Sequence, residues 1–156
     1  MNHLRDIKHS LPMQLLQARE TTMGYFRPLL RNHNLTEQQW RVIRVLAEHA
    51  PIDATELANQ CFLLPPSLTR ILQALANAGL IQRQPDPADQ RRTLVSLSPA
   101  GQEKYAQISP LSERTYQKIE ERFGKSNLHS LHTLLAELDR CLSPHTQPSE
   151  AAHEQP

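Results

Sequence analysis

Residues 53–79, DATELANQCFLLPPSLTRILQALANAG, carry the start and stop signals of two short helices. Asp53 is a favoured N-cap residue with Glu56 at the N3 position, so the first helix begins there. The second begins at Pro65-Pro66, because proline is tolerated in the first turn of a helix, and it ends before Gly79. Two short helices joined by a tight link form the helix-turn-helix pattern. Apolar residues inside them recur at helical spacing: Leu57, Ala58, Leu68, Ile71, Leu72 and Leu75.

A charged hairpin follows these helices. Residues 80–83 (LIQR) indicate a short strand, and residues 93–97 (TLVSL) alternate polar and apolar side chains as a half-buried strand does. The residues between them are polar, and we expect Pro85 and Pro87 to exclude regular pairing there. A hairpin directly after a helix-turn-helix predicts a winged helix with a two-stranded wing.

Two helices are predicted before this pattern. The first covers about residues 7–31, and Pro28 is expected to bend or end it. Thr36 and Gln39 then form a capping box, which starts a helix that runs to about Glu48.

Two further helices are predicted after the hairpin. Ser98-Pro99 is a helix start, and that helix runs to about Phe123 with Pro110 as a kink. The last helix runs from Ser126 to about Leu142. Its leucines are alternately three and four residues apart, which gives two heptads of an apolar seam that needs a covering partner. The seam consists of Leu128, Leu131, Leu135, Leu138 and Leu142.

The predicted fold class is mainly α. A winged helix-turn-helix lobe covers residues 35–98, and dimerisation helices at residues 7–31 and 99–142 flank it. The small lobe cannot cover the apolar faces of the outer helices, so we expect a homodimer. Residues 143–156 are polar and proline-rich, and we expect a disordered tail there.

Composition excludes several classes of protein. The chain has 156 residues, with 17 Lys plus Arg against 16 Asp plus Glu, so any DNA-binding charge must be local. It has neither the run of about 18 apolar residues that a membrane helix needs nor a signal-peptide pattern, so we expect a cytoplasmic protein without a membrane partner. Phosphate-binding glycine motifs and catalytic nucleophile motifs are absent from the sequence, so we expect neither enzyme activity nor a cofactor.

Metal and redox chemistry are also weakly indicated. His129 and His132 are three residues apart, but no nearby Cys, Asp or Glu completes a metal site. Cys61 lies near the helix-turn-helix link, and a redox switch would need a low-pKa thiol with a resolving partner. We therefore expect a structural cysteine and no metal.

The second helix of the motif would enter the major groove of DNA by its N-terminal half. The wing carries paired arginines that suit a narrow minor groove, and Asp89 is placed to hold Arg91 extended. The alternatives are an ordinary polar helix face and a solvated hairpin tip. The predicted DNA-binding residues are Ser67, Thr69, Arg70 and Gln73 on the helix, and Asp89, Arg91 and Arg92 on the wing.

A pocket for an aromatic acid is predicted around Trp40 and Arg44, which lie side by side four residues apart on one helix. The ring would stack on a ligand ring, and the guanidinium would bind its carboxylate. Arg19 lies inside an apolar helix, and Tyr116 offers a phenol hydroxyl. The alternatives are that Trp40 is a core residue, that Arg44 pairs with Glu48, and that Arg19 pairs with Glu20 or makes a dimer contact.

The wing and several other strings carry a family resemblance. Residues 89–101, DQRRTLVSLSPAG, resemble the wing signature of MarR-type transcriptional regulators. Other strings are similar to the subgroup of this family that represses homoprotocatechuate (aromatic acid) degradation operons: LQARE at 16–20, FRP at 26–28, LTEQQWR at 35–41 and PSLT at 66–69. The resemblance covers about residues 10–142.

The resemblance implies a triangular homodimer that binds a pseudopalindromic operator and releases it when a small phenolic acid enters a pocket. It also implies which residues contact the ligand, because the subgroup's positions match Ser10, Arg19, Trp40, Arg44 and Tyr116 here. This chain departs from the subgroup near the start of the second motif helix. It has Pro65 where relatives tend to carry arginine, and Arg70 where they tend to carry a small residue.

The function predicted from these observations is a MarR-type repressor of an aromatic-compound (homoprotocatechuate or 4-hydroxyphenylacetate) degradation operon, relieved by a phenolic carboxylic acid. Its expected partners are double-stranded DNA, the acid and a second copy of the chain. One alternative is a winged-helix regulator that senses oxidation or no ligand. Another is an α-helical protein-interaction module, and a small hydrolase is more distant.

Overall fold

The computed structural model describes residues 6–143, so most of the predicted tail, residues 144–156, lies outside the described residues. The described chain is mainly helical, as the sequence predicts. A short 3-10 turn at Ile7–His9 precedes six helices: α1 Leu11–Asn32, α2 Glu37–His49, α3 Ala54–Cys61, α4 Pro65–Asn77, α5 Pro99–Phe123 and α6 Lys125–Leu142. Three strands complete the fold: β1 Ile52–Asp53, β2 Ile81–Pro85 and β3 Thr93–Leu97.

The chain divides into two compact units between Thr115 and Tyr116. The first unit contains α1–α4, the three strands and the first part of α5. The second contains the rest of α5 and all of α6. Among residues 6–143, no helix combines the length and the apolar character that a bilayer span requires.

The start of α2 is fixed by the predicted capping box. Thr36 Oγ1 accepts from the Gln39 backbone N–H at 3.1 Å, and Gln39 Oε1 accepts from the Thr36 N–H at 3.0 Å. Leu35 and Trp40 flank the box and are both buried, as a hydrophobic staple requires. The local sequence therefore sets both where α2 begins and which face it buries.

The helix-turn-helix forms as predicted. The Asp53 carboxylate accepts from the Glu56 N–H at 3.0 Å and caps α3. At the other end of the motif, the Leu80 and Gly79 N–H groups bond to the Leu75 and Ala76 carbonyls at 2.9 Å each. Gly79 has φ +71°, a left-handed conformation that glycine adopts without penalty, so α4 ends where the sequence predicts.

The two-stranded wing forms from β2 and β3 as predicted, and the sheet gains one further strand. The two residues of β1 pair with the other edge of β3, so three antiparallel strands lie in the order β1-β3-β2. The exclusion of Pro85 from pairing was wrong: β2 continues to Pro85, which lies opposite Thr93. Pro85 is the last residue of an edge strand, where the missing N–H costs no ladder bond.

One hydrophobic core holds the lobe together. Val42, Ile43 and Leu57 are fully buried in it, together with residues of α4 and β3. Ile108 of α5 is fully buried in the same core, so the first part of α5 is anchored to the lobe. Gly101 explains how closely α5 approaches, since a Cβ there would lie 2.0 Å from the Leu80 carbonyl oxygen.

The two prolines inside helices do not end them. Pro28 lies within α1, which continues to Asn32, so of the two expected effects of this proline, a bend or an end, the helix does not end there. Pro110 likewise lies inside α5. Gly124, with φ +93°, separates α5 from α6 as the sequence predicts.

Helix α6 buries none of its described side chains. Its leucine seam is half-buried at Leu128 and Leu138 and exposed at Leu131, Leu135 and Leu142. Apolar area of this extent on one helix face favours burial against another surface, at about 25 cal/mol per Å².

Replacing Leu131 and Leu138 with glutamate is expected to convert a dimer into monomers or unfolded chain, because the seam would then carry charge. Sedimentation velocity at micromolar concentration measures this directly. The control is Thr133→Glu, since Thr133 lies on the opposite side of α6 and its replacement should leave the dimer intact. A monomeric parent protein, or a double variant that stays dimeric, would contradict the prediction.

Candidate DNA and effector interface

The outer face of α4 carries the residues that the sequence assigns to DNA contact. Thr69, Arg70 and Gln73 are exposed, whereas Ser67 is half-buried. Residues three and four apart share a helix face, so Gln73 lies beside both Thr69 and Arg70. Arg70 makes no hydrogen bond or ion pair within residues 6–143, so its guanidinium is available for a partner.

Two of these side chains hold local contacts. Thr69 Oγ1 donates to the Pro65 carbonyl at 3.0 Å, and Gln73 Nε2 donates to Asn77 Oδ1 at 2.9 Å. Both bonds are exposed and lie within α4, so contacts to DNA can replace them at small cost.

The wing tip holds Arg91 as predicted. Arg91 Nε donates to Asp89 Oδ1 at 3.1 Å and Nη2 donates to Oδ2 at 3.4 Å, while the Arg91 side chain remains 91% exposed. The guanidinium bond lowers the pKa of Asp89, and the Arg91 backbone N–H lowers it further. The tip therefore presents a charged guanidinium in one orientation.

Arg92 has a partner that the sequence did not predict. Its Nη2 donates to Asp53 Oδ2, across from the wing to the N-cap of α3. The pKa of Asp53 is lowered, first by the Glu56 backbone N–H and then by Arg92. Arg92 thus ties the wing to the helix-turn-helix, which is a structural role distinct from the predicted contact with DNA.

Arg19 belongs to a cluster of four charged side chains, Arg19, Glu20, Arg27 and Glu37, which we call the α1–α2 ion-pair cluster. Arg19 donates to Glu20 at 2.9 Å and to Glu37 at 3.1 Å. Arg27 donates to Glu20 at 2.6 Å and to Glu37 at 3.0 Å. The Arg27 bond lowers the pKa of Glu20. The expected alternative for Arg19, a pair with Glu20, is therefore formed, and Glu37 is a second partner.

Trp40 is a core residue with one aromatic neighbour. Its side chain is 6% exposed, and its ring stacks on Tyr105 of α5 with centroids 5.8 Å apart and planes 26° apart. Tyr105 is half-buried at the edge of the core. The alternative of a core tryptophan is thus formed, and a ligand would have to meet the accessible rim of its ring.

Arg44 is exposed on the same helix. It makes no ion pair within the described residues, so the alternative pair with Glu48 is not formed. Glu37, Trp40 and Arg44 are three and four residues apart and lie along one stripe of α2. At 1.5 Å per residue, Glu37 and its partner Arg19 lie about 10 Å along the helix from Arg44.

The other two predicted ligand residues lie elsewhere. Ser10 is the half-buried N-cap residue of α1, and its side chain makes no capping bond. Tyr116 belongs to the second unit, where it is exposed on α5. The structure therefore brings Arg19, Trp40 and Arg44 onto one side of α2, and it leaves the grouping of all five residues a prediction.

A cleft of about 410 Å³ lies elsewhere in the first unit, between the end of α2, the sheet and the start of α5. None of the five predicted ligand residues lines it. Tyr105 does, together with Gln82, Gln84 and Gln102, so the cleft and Trp40 share one aromatic neighbour.

The described residues form neither a metal site nor a reactive cysteine. No group of three His, Cys, Asp or Glu side chains is gathered within them. Cys61 is buried in the core, and burial raises the pKa of its thiol, which is the opposite of a reactive cysteine.

Comparison with known proteins gives consistent matches. The family model described as MarR family matches residues 35–93. The HTH-type transcriptional regulator FarR of Neisseria gonorrhoeae is 46% identical over 132 residues, which cover 84% of this chain and 90% of FarR. The homoprotocatechuate degradative operon repressor of Escherichia coli is 44% identical over 128 residues, covering 82% of this chain and 86% of the repressor.

The chain belongs to the MarR family. Among solved structures, NadR in complex with 4-hydroxyphenylacetate superposes with a TM-score of 0.77 at 42% identity, covering 85% of this chain and 96% of NadR. This MarR protein is thus a DNA-binding transcriptional regulator with a winged-helix fold. Its relatives are regulators, a class distinct from enzymes, and MarR proteins are dimers.

The sequence did not predict three contacts of this MarR lobe. They are the stacking of Tyr105 on Trp40, the Arg92 bond to Asp53, and the Arg19 bond to Glu37. Each joins residues far apart in the chain. No local spacing signals such a pair, because its partners meet only after the lobe has folded.

The pKa values of Asp89 on the wing and of Asp53 at the N-cap of α3 are both expected to lie below the unperturbed value of about 3.9. Asp53 and Asp89 therefore stabilise the fold fully above that value, and this stabilisation is lost as pH falls through their lower folded pKa values. Carbon-detected NMR titration of the carboxyls measures them. Arg91→Ala should raise the pKa of Asp89 clearly, whereas Arg92→Ala should leave Asp53 still lowered, because the Glu56 N–H is its largest cause. Equal shifts in both variants would contradict this assignment.

Proposed function

We propose that this protein is a homodimeric repressor of an operon for degradation of an aromatic compound, homoprotocatechuate or 4-hydroxyphenylacetate, and that a phenolic carboxylic acid relieves the repression. The observation that carries the proposal is Arg44: an exposed guanidinium without an ion-pair partner in the described chain, one helical turn from Trp40. The relative that represses a homoprotocatechuate operon and the relative bound to 4-hydroxyphenylacetate support the same ligand class.

The DNA-binding surface is proposed to combine α4 and the wing. The N-terminal half of α4 enters the major groove, where Arg70 forks onto guanine and Gln73 onto adenine, with Ser67 and Thr69 on phosphates or base edges. Arg91, held extended by Asp89, enters the neighbouring minor groove. Arg92 supports the wing through its bond to Asp53 and positions Arg91 beside it.

Domain roles follow from burial. We propose that residues 35–98 form the DNA-binding lobe and that residues 7–31 and 99–142 form the dimer interface. In α1 the side chains of Leu11, Leu15 and Leu16 are exposed, as is the leucine seam of α6. A dimer of lobes would present two recognition helices to two half-sites of a pseudopalindrome.

The carboxylate anchor is proposed to be Arg44 rather than Arg19. Arg19 already donates to two carboxylates in the α1–α2 ion-pair cluster, whereas Arg44 has none. Arg19 is bound at Glu37, in the first turn of α2, whereas Arg44 lies about two turns further along that helix. Arg19 would then hold α1 against the start of α2, while Ser10 and Tyr116 contribute polar contacts to the ligand.

Release of DNA is proposed to be a population shift. A ligand that binds one lobe spacing better than the other moves the dimer toward the spacing it prefers. If that spacing does not fit two successive major grooves, operator affinity falls. The size of the fall is limited by how much more tightly the ligand binds that spacing than the spacing that fits DNA. An oxidation-sensing regulator is the second candidate, but the buried Cys61 with its raised pKa disfavours it.

Arg91→Ala and Arg70→Ala are each expected to weaken operator binding by about 1–3 kcal/mol, because each removes a charged contact to DNA. Arg70→Ala should also relax the preference at particular base pairs. Fluorescence anisotropy with an operator selected from random duplexes measures both effects. Gln38→Ala, which changes an exposed residue of α2 outside both the proposed DNA-binding surface and the proposed dimer helices, is the control and should bind like the parent. Parent-like binding by both wing and α4 variants at moderate salt would refute the interface.

Addition of 4-hydroxyphenylacetate or its 3,4-dihydroxy relative is expected to change the fluorescence of Trp40, the only tryptophan, to raise the melting temperature and to release DNA. Arg44→Ala should abolish the response with DNA binding retained, and Arg19→Ala should weaken it less.

The ligand control is 4-hydroxyphenylacetamide, which keeps the ring and lacks the carboxylate, and it should produce no response. If millimolar phenolic and phenylacetic acids change neither fluorescence nor melting temperature, the aromatic-acid proposal fails. If hydrogen peroxide releases DNA instead, the oxidation-sensing regulator replaces it.

A further inference from the structure

An exposed apolar patch lies at the link of the helix-turn-helix. Phe62 is 90% exposed and Leu64 is 74% exposed, and Pro65 and Pro66 beside them are exposed too. We call these four residues the apolar tip. Cys61, the residue directly before the tip, is by contrast buried in the core. The tip therefore places large apolar side chains in water directly before the first turn of α4.

The fold gives no reason for an aromatic residue at the first position of the tip. Phe62 ends α3 with φ 51° and ψ 47°, a left-handed conformation that is uncommon for a bulky side chain. The turn is held by backbone bonds from Phe62 to the Asn59 carbonyl and from Leu63 to the Ala58 carbonyl. Glycine or asparagine would form the same turn with less strain. The Phe62 side chain is thus unfavourable for both the local backbone conformation and hydration.

The position of the tip indicates what it contacts. Pro66 lies three and four residues before Thr69 and Arg70 on the exposed face of α4, and Leu64 is the N-cap residue of this helix. The tip is therefore at the end of α4 that is proposed to enter the major groove. The edges of base pairs in that groove are hydrogen-bond donors and acceptors, with one apolar group, the C5 methyl of thymine. An apolar side chain pressed against any other base edge would leave polar groups unpaired.

We infer that the apolar tip reads a thymine methyl group in each operator half-site, with Leu64 and Phe62 as the contacting side chains. This inference rests on the proposed entry of α4 into the major groove. Specificity then has two parts on one surface. Arg70 and Gln73 select by hydrogen bonds, and the tip selects A·T at one position by favouring the methyl group and disfavouring polar edges.

The test replaces each thymine of a selected operator, one at a time, with deoxyuridine, which removes only the methyl group. The parent protein should bind about fourfold more weakly at one thymine of each half-site, the effect of withdrawing one methyl group from apolar contact. Leu64→Ala should bind the thymine and uracil duplexes at that position nearly equally. Leu64→Met, which stays apolar, should keep the discrimination.

Matched variants separate the tip from the rest of the interface. Arg70→Ala should bind more weakly overall but keep the thymine-to-uracil ratio, and Phe62→Asn, which suits the left-handed turn, should reduce that ratio. If the parent binds its operator but responds to no uracil substitution, or if Leu64→Ala keeps the full ratio, the inference is overturned while the proposed function stands. If the parent binds no selected duplex, both fail.

Discussion

Burial of one face of α2 is the constraint on which the lobe depends. Val42 and Ile43 lie fully buried against α3, α4 and the central strand β3, so the helix-turn-helix and the wing share a single core. Neither the two short helices nor the hairpin has enough apolar area to be stable alone. Because both pack on α2, the exposed face of α4 and the wing tip keep a fixed relation, which DNA recognition at two grooves requires.

Charge is organised around this core in pairs that leave selected cations unpaired. Net charge is only +1, yet Glu20 and Glu37 bind Arg19 and Arg27 of α1, and Asp53 binds Arg92. Exposed ion pairs of this kind contribute little stability, because water screens both charges. Their effect is positional: they fix α1 and the wing while Arg70 and Arg44 remain available for DNA and for a carboxylate.

Trp40 connects the proposed effector site to the rest of the lobe. Its ring is packed in the core against Tyr105 of α5, and Arg44 follows one turn later on the same helix. A ligand bound at this stripe would contact α2 and, through the stacking of Trp40 on Tyr105, could displace α5 as well. Because a packed core responds to displacement as a unit, movement of α2 would carry α4 and the wing with it. This connection makes a lobe-spacing response to a small acid physically reasonable.

The sequence by itself determined the helices, their caps, the hairpin and the exposed polar face of α4, because each depends on neighbours within a few positions. Thr36 with Gln39, Asp53 with Glu56, and Gly79 are such signals, and the structure contains them all. Tertiary structure alone decided the third strand, the pairing of Pro85 with Thr93, and which arginines are paired. Arg92 meets Asp53 across 39 positions and Arg19 meets Glu37 across 18, so their availability follows from packing, which no local spacing encodes.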